Sequence, residues 1–514
     1  MMRPGKIVLL AIAGLLFLAA LGGIISRKHS PQADLERTRL ALRQQGFKLE
    51  LTEFNFAVSV QDSALAFALD GFGKACYLPL AETIDFLPPV GTNAALVMWD
   101  QPTLVAESCT DLWAELRAQL DQPMLEHACV AALVGPYRSR VASSQGGIEQ
   151  VGGNACRLPC PLAARTLLAL HEHDQPRVWT NLLALTKLVA GWHPLPFEQD
   201  VLYWHNVNLV RAFGVTWQAI QARALTEAQL ATLQREWESA DFRSGLPEVA
   251  ALARAEIESE YRWQAMRVLP FRFSHMHSPR YAWWWLTEAW HRRGMLQDEE
   301  ALLHLFRRCE EDYRRVQACS TWREIRTMPG LRTPHPGIAN LRPSATNLVP
   351  STTNPMNMRS IALSSVYARY RFAFEPLMPG SLWRMADSES MRRLLVAALA
   401  LERYRLRHEC YPESLDALTP ELLPSRPLDF MDGAPLRYRN MQDGRFVLYS
   451  TGLDCIDDGG NARRPGLLWA NSGHDHTDLV WPCPASPTEL AAEAASRRQL
   501  PQADTAGRTF VPAR

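Results

Sequence analysis

The feature that most constrains this chain is an uninterrupted apolar run at residues 7–25, from Ile7-Val8-Leu9-Leu10 to Gly22-Gly23-Ile24-Ile25. As a helix rising about 1.5 Å per residue, such a run nearly spans a hydrocarbon core roughly 30 Å thick. Arg3 and Lys6 precede it, which favours a cytoplasmic N-terminus, while Arg27 and Lys28 follow it and weaken that preference. A cleaved signal peptide is the alternative, because Ala20-Leu21-Gly22 is an acceptable small-x-small site. The run is long for a signal core, and no lipobox cysteine accompanies it. The expectation is an uncleaved single-pass anchor, with the chain exported from Ser30 onward.

Length and charge narrow the rest. A chain of 514 residues is too long for one small core, and several domains are expected. Its 54 basic and 54 acidic residues cancel, so the basic excess of a nucleic-acid binder is missing and no nucleic-acid partner is expected. Export makes the ten cysteines candidates for disulfides. Cys156 and Cys160 would close a small loop, Cys309 and Cys319 are near in sequence, and Cys410, Cys455 and Cys483 share the C-terminal region. Pairing is not fixed by sequence, and buried thiols are the alternative. The spacings lack paired C-x-x-C motifs, which disfavours zinc.

Helical patterns dominate the middle. Val178, Leu182, Leu185 and Val189 recur at helical spacing. Thr226-Glu227-Ala228-Gln229 reads as a capping box, in which a hydroxyl and an amide three residues apart satisfy each other's orphan N–H groups. Leu246-Pro247-Glu248 opens another helix, with proline in the tolerated first turn. Ser143-Ser144-Gln145-Gly146-Gly147 reads as a loop. Serial helices joined by short turns suggest an α-solenoid-like or irregular helical body, although no fixed repeat period is present. Six segments follow: a cytoplasmic tip and transmembrane anchor at 1–29, a mixed helical region at 30–157, a helical-hairpin body at 158–327, a Pro/Asn/Ser/Thr-rich linker at 328–357, a helix plus α+β module at 358–485, and a flexible tail at 486–514.

The C-terminal text has a definite order. A helix carries Met391, Leu394, Leu395, Ala398 and Leu399 along one side, and Tyr411-Pro412 stops it, since proline disfavours helix at the preceding residue. Residues 436–439 and 445–449 alternate around Asp443-Gly444, which is a hairpin signal. One helix on a small antiparallel sheet is the expected outcome. Leu401-Glu402-Arg403-Tyr404, Tyr411-Pro412-Glu413-Ser414-Leu415, Leu428-Asp429, Asp432-Gly433, Leu436-Arg437-Tyr438, Tyr449-Ser450-Thr451-Gly452 and Asp478-Leu479-Val480-Trp481 together resemble the globular end of the major pseudopilin of type II secretion. The likeness covers about the last quarter of the chain. As a whole, the chain also resembles a group of uncharacterised bacterial membrane-anchored helical proteins that share this ending. That second resemblance implies no activity.

The pseudopilin resemblance implies a calcium-binding loop, with Asp454 and Asp478 matching the family's acidic positions and Asp457 and Asp458 close by. Calcium takes several hard oxygens from carboxylates and carbonyls, and Gly452, Gly459 and Gly460 suit a loop that turns carbonyls inward. Two positions depart from the family: Cys455 stands where glycine is usual, and residues 461–477 are longer than its short connection. The N-terminus departs too. Gly5 is followed by Lys6 and by no acidic residue inside the apolar run, so prepilin processing is not expected.

Other clusters are weaker. His474-Asp475-His476-Thr477-Asp478 has imidazole and carboxylate ligands suited to a transition metal, but a catalytic site needs three spaced ligands and an open position. Ser274-His275-Met276-His277 and His171-Glu172-His173 read as solvated histidines. Trp283, Leu286 and Trp290 form one helical stripe suited to helix packing. No P-loop, G-x-S-x-G elbow or H-E-x-x-H helix is present. The expected role is therefore a binding or scaffold protein, anchored in the bacterial inner membrane through residues 7–25. It would face an envelope or secretion-associated partner, without evident catalysis. The alternative is a metal-dependent hydrolase using His474, His476 and Asp478.

Overall fold

The computed structural model describes residues 30–54, 60–75, 94–96, 103–104, 113–135, 140–144, 147–151, 153–191, 201–267, 279–331, 379–460 and 478–484, with isolated positions between 486 and 495. In chain order the elements are α1 (Pro31–Gln44), α2 (Val60–Ala75), β1 (Ala94–Leu96), β2 (Thr103–Leu104), α3 (Trp113–Leu120), α4 (Pro123–Val134), β3 (Arg140–Ser144), β4 (Gly147–Val151), α5 (Pro159–His171), α6 (Gln175–Ala190), α7 (Val201–Gln221), α8 (Glu227–Ser239), α9 (Leu246–Arg267), α10 (Pro279–Ala318), α11 (Trp322–Thr327), α12 (Pro379–His408), β5 (Arg437–Asn440), β6 (Phe446–Ser450), β7 (Leu479–Trp481) and β8 (Cys483–Pro484). The described chain is mainly helical with small open sheets, ordered β2-β1-β8, β3-β4 and β5-β6-β7.

Local signals produce the ends of several helices. The Thr226 hydroxyl accepts from the Gln229 backbone N–H and the Gln229 side chain accepts from the Thr226 N–H, forming the capping box that starts α8. The Asp174 carboxylate accepts from the Arg177 N–H and starts α6. Val178, Leu182, Leu185 and Val189 all point into the core, as their spacing requires. The Asp443-Gly444 turn joins β5 to β6 in antiparallel register, Arg437 opposite Tyr449 and Asn440 opposite Phe446.

Packing departs from a solenoid. In a solenoid each unit touches only its sequence neighbours. Here α12, far along the chain, packs against α7 and α8 on one side and against β6 and β7 on the other. Eight consecutive residues, from Leu394 to Leu401, are all buried. A helix that is buried all round belongs at the centre of a core, not on its surface. Further cross-links join body and sheet. Trp217 Nε1 of α7 donates to the Pro482 carbonyl at 2.7 Å, and Gln234 Nε2 of α8 donates to the Leu422 carbonyl at 2.7 Å. On the far side, Arg39 of α1 meets Glu258 of α9 at 2.6 Å and Glu299 of α10 at 2.5 Å, which fastens α1 to that helix pair.

Several expectations are corrected. No helix among the described residues is long and apolar enough to cross a membrane, and the expected span at residues 7–25 lies outside the described residues. The transmembrane element of the fold, the inner-membrane single-pass location, the membrane as partner and the anchored envelope role all rested on that span. None of them has a counterpart among the described residues. The solenoid-like body is replaced by an irregular helical core organised around α12. Residues 140–144 and 147–151, read as loop around Ser143–Gly147, pair as strands. No disulfide joins any two described cysteines, so the loop from Cys156 to Cys160 is not closed by one. The tryptophan-rich side chains at 283–290, His275, His277 and the linker from residue 332 lie outside the described residues.

The central position of α12 predicts that Leu399→Ala, at a side chain with no solvent exposure, costs about 3 kcal/mol through lost transfer energy plus a cavity. Urea unfolding of the full chain should show the loss in one transition reported equally by helix and by tryptophan signals.

Candidate functional site

The acidic loop at residues 452–460 lies between β6 and α11, and Asp478 enters it from the start of β7. Asp478 is buried. Its Oδ2 accepts from the backbone N–H of Asp458 at 3.0 Å and of Gly460 at 2.8 Å. Its Oδ1 is buried and has no hydrogen-bond partner. Burial pushes this carboxyl up to about 6, and Asp457 and Asp458 add to the rise against the Gly460 N–H. Gly459 and Gly460 have φ of 76° and 82°, which glycine adopts without a Cβ clash and which turns the Gly460 N–H toward Asp478.

The other acids point elsewhere. Asp457 Oδ1 accepts from the Tyr449 hydroxyl at 2.9 Å and the Gly459 N–H at 3.0 Å, and its Oδ2 lies 3.2 Å from Arg437 Nε. Burial opposes ionisation of Asp457, but these donors hold its carboxyl below the usual range. Asp454 Oδ1 accepts from the Ile456 N–H at 3.0 Å, and its carbonyl accepts from Arg326. Cys455 has φ of 59°, a left-handed conformation costing an L-residue roughly 1–2 kcal/mol. The glycine usual at this position in the resembled family fits that geometry. Here the cysteine Sγ donates to the Met431 carbonyl at 3.3 Å.

A protein cation occupies the centre of the module. Arg437 Nη1 is 2.9 Å from Asp429 Oδ2, its Nη2 is 2.6 Å from Asp432 Oδ2, and its Nε reaches Asp457. Asp429 is fully buried and also accepts from Ser450, Thr451 and Met431. Burial nevertheless pushes its carboxyl above the usual range. The hydrogen bonds to Asp432, then the charges of Asp432 and Asp429, hold the Arg437 guanidinium firmly charged.

A second clamp comes from α11. Trp322 Nε1 donates to the Leu453 carbonyl at 2.8 Å, Arg323 reaches the Cys455 carbonyl at 3.2 Å, and Arg326 reaches the Asp454 carbonyl. The Trp322 and Arg323 backbone N–H groups donate to Phe430 and Met431. The carbonyls of residues 453–455 thus face guanidinium and indole donors.

The described structure does not gather Asp454, Asp457, Asp458 and Asp478 into one cluster. No group of three or more His, Cys, Asp or Glu among the described residues converges as a metal site. Asp478 alone of the four presents a buried oxygen without a partner, and it fits a hard cation as a single carboxylate ligand. The hydrolase alternative is corrected by the same finding: Asp478 belongs to no metal cluster, and His474 and His476 lie outside the described residues. Sequence reading missed Arg437, Arg323 and Arg326 as parts of the site. Only the strand alternation around Arg437 hinted that it faces the loop. Comparison of the chain with protein-family models, with curated proteins and with solved structures finds no match.

Arg437→Met leaves Asp429 without its cation and Asp432 with only the 3.8 Å contact to Arg323, and should destabilise the chain by about 3 kcal/mol in denaturant unfolding. Asp478 has a folded-state pKa above its unfolded value, so the folded state binds more protons and stability contributed by this group is lost as pH rises from about 4 to about 6. Relative to Asp478→Asn without added cation, the wild-type melting point should therefore fall across that window and run parallel to the variant above it.

Proposed function

We propose that the chain is a non-catalytic protein whose C-terminal, pseudopilin-like module carries a calcium-responsive loop centred on Asp478. The observation that carries this reading is the buried Asp478 Oδ1, which lacks a partner while Asp457 and Asp458 crowd it. A divalent cation would supply the positive charge that this oxygen lacks, with Asp478 as its carboxylate ligand. The chain's own residues do the rest. Oδ2 of Asp478 holds the 458–460 turn through two N–H groups. Arg437 keeps Asp457 turned toward β5, and α11 holds the 453–455 carbonyls. A change in the charge of Asp478 is therefore felt by a loop already fastened to the helical body.

The end of α12 at His408, just before Tyr411-Pro412, and the β5–β6 hairpin support this reading. The clamp by α11 and the burial of α12 against α7 and α8 tie the stability of this loop to that of the helical body.

The test is a thermal melt of the full chain in excess calcium and in chelator. A ligand that binds only the folded state raises its melting point by mass action, by about 2.7 kcal/mol of stability at a hundredfold excess over Kd. Calcium should raise the wild-type melting point at pH 7.5 and leave Asp478→Asn unmoved. Equal melting points for the wild type with and without calcium would overturn the reading.

A further inference from the structure

A polar cavity lies where α3, α5 and α6 meet. Its volume is about 90 Å³, and Arg117, Asp121, Arg165, Glu172, Arg177 and Asn181 line it. One buried water needs roughly 10–15 Å³ of such space, so this cavity has room for a polyatomic occupant. Its lining carries three guanidiniums and two carboxylates, and Glu126 and Asp174 pair with Arg165 and Arg177 from outside it.

The three arginines are held differently. Arg117 of α3 is satisfied by Glu172, with Nε and Nη2 both 2.6 Å from Glu172 Oε1. Arg177 of α6 is half exposed, and its Nε lies 3.6 Å from Asp174, beyond hydrogen-bonding distance. Arg165 of α5 has only a tenth of its side chain exposed. Its Nη2 bonds to Glu126 of α4, but its buried Nη1 has no hydrogen-bond partner. Leaving such a donor unmade is destabilising, and more so for a charged group. Asp121, also in the lining, is exposed to solvent.

We propose that this cavity is an oxyanion site for a phosphate group, either inorganic phosphate or the head of a small phosphate monoester. A guanidinium with an open, buried N–H presents a charge-assisted donor to a tetrahedral oxyanion, and a second arginine at the rim completes the approach. The buried Asn181 adds a neutral amide in the lining, and Glu172 is neutralised by Arg117 and does not repel the ligand. This site is separate from the acidic loop around Asp478 and does not depend on calcium.

Isothermal titration of the full chain with inorganic phosphate and with glycerol 3-phosphate, at fixed ionic strength and in chelator, tests the assignment. Saturable binding is expected, abolished in Arg165→Gln and weakened about tenfold in Arg177→Gln. Tighter binding of inorganic phosphate assigns the site to the free ion, and tighter binding of glycerol 3-phosphate assigns it to an ester. If Arg165→Gln fails to fold, Arg177→Gln decides, because its side chain is half exposed and lies outside the core. No saturable heat from either probe with the wild type, or unchanged affinity in Arg177→Gln, would overturn the proposal.

Discussion

The burial of α12 on all its faces is the constraint on which the rest of this structure depends. Leu394, Leu395, Leu399 and Leu401 are excluded from solvent, and so are the small residues Ala397, Ala398 and Ala400 between them. Small residues on the remaining faces let neighbouring elements approach closely from several directions. One side receives α7 and α8, and another receives β6 and β7. The C-terminal sheet is therefore built on a helix that also serves as the keystone of the body. An apolar surface of this size is stabilised only when all its neighbours are present, which ties the folding of the sheet to that of the bundle.

Charge placement follows from the same geometry. With the sheet fixed on α12, β5 carries Arg437 into a pocket of three carboxylates, Asp429, Asp432 and Asp457. Buried carboxylates need such a cation, since desolvation otherwise pushes them toward the protonated form. Asp478 lies outside the reach of that guanidinium and pays for its burial with a raised pKa. Asp457 is paired with Arg437 whereas the buried Asp478 is not, and this difference gives the loop its distinct chemical character.

Local features of the fold were legible in the sequence. The capping box at Thr226, the end of α12 at His408 shortly before Tyr411-Pro412, and the hairpin at Asp443-Gly444 are each encoded within a few residues, because caps and turns are made by near neighbours. The amphipathic reading of α12 was incomplete. Its leucines were visible as a stripe, but alanine at 397 and 400 is equally at home on an exposed face, so burial all round left no signal. The candidate calcium loop was legible only as a set of acids. Asp454, Asp457, Asp458 and Asp478 look alike in sequence, and their partners distinguish them.

The clamp from α11 lies further from what a sequence can show. Trp322 and its acceptor at Leu453 are 131 positions apart, and nothing near either residue announces the other. The arginine-lined cavity is similar, assembled from three helices whose facing sides depend on how they cross. The sequence by itself determined where helices start and stop, which strands form a hairpin, and that charge is balanced overall. Only the tertiary structure decided which helix lies at the centre, which acid lacks a cation and which arginine keeps an open donor. The physical reason is range: caps, turns and periodicity act over one or two turns of chain, whereas desolvation and ion pairing are set by neighbours that only the folded packing brings together.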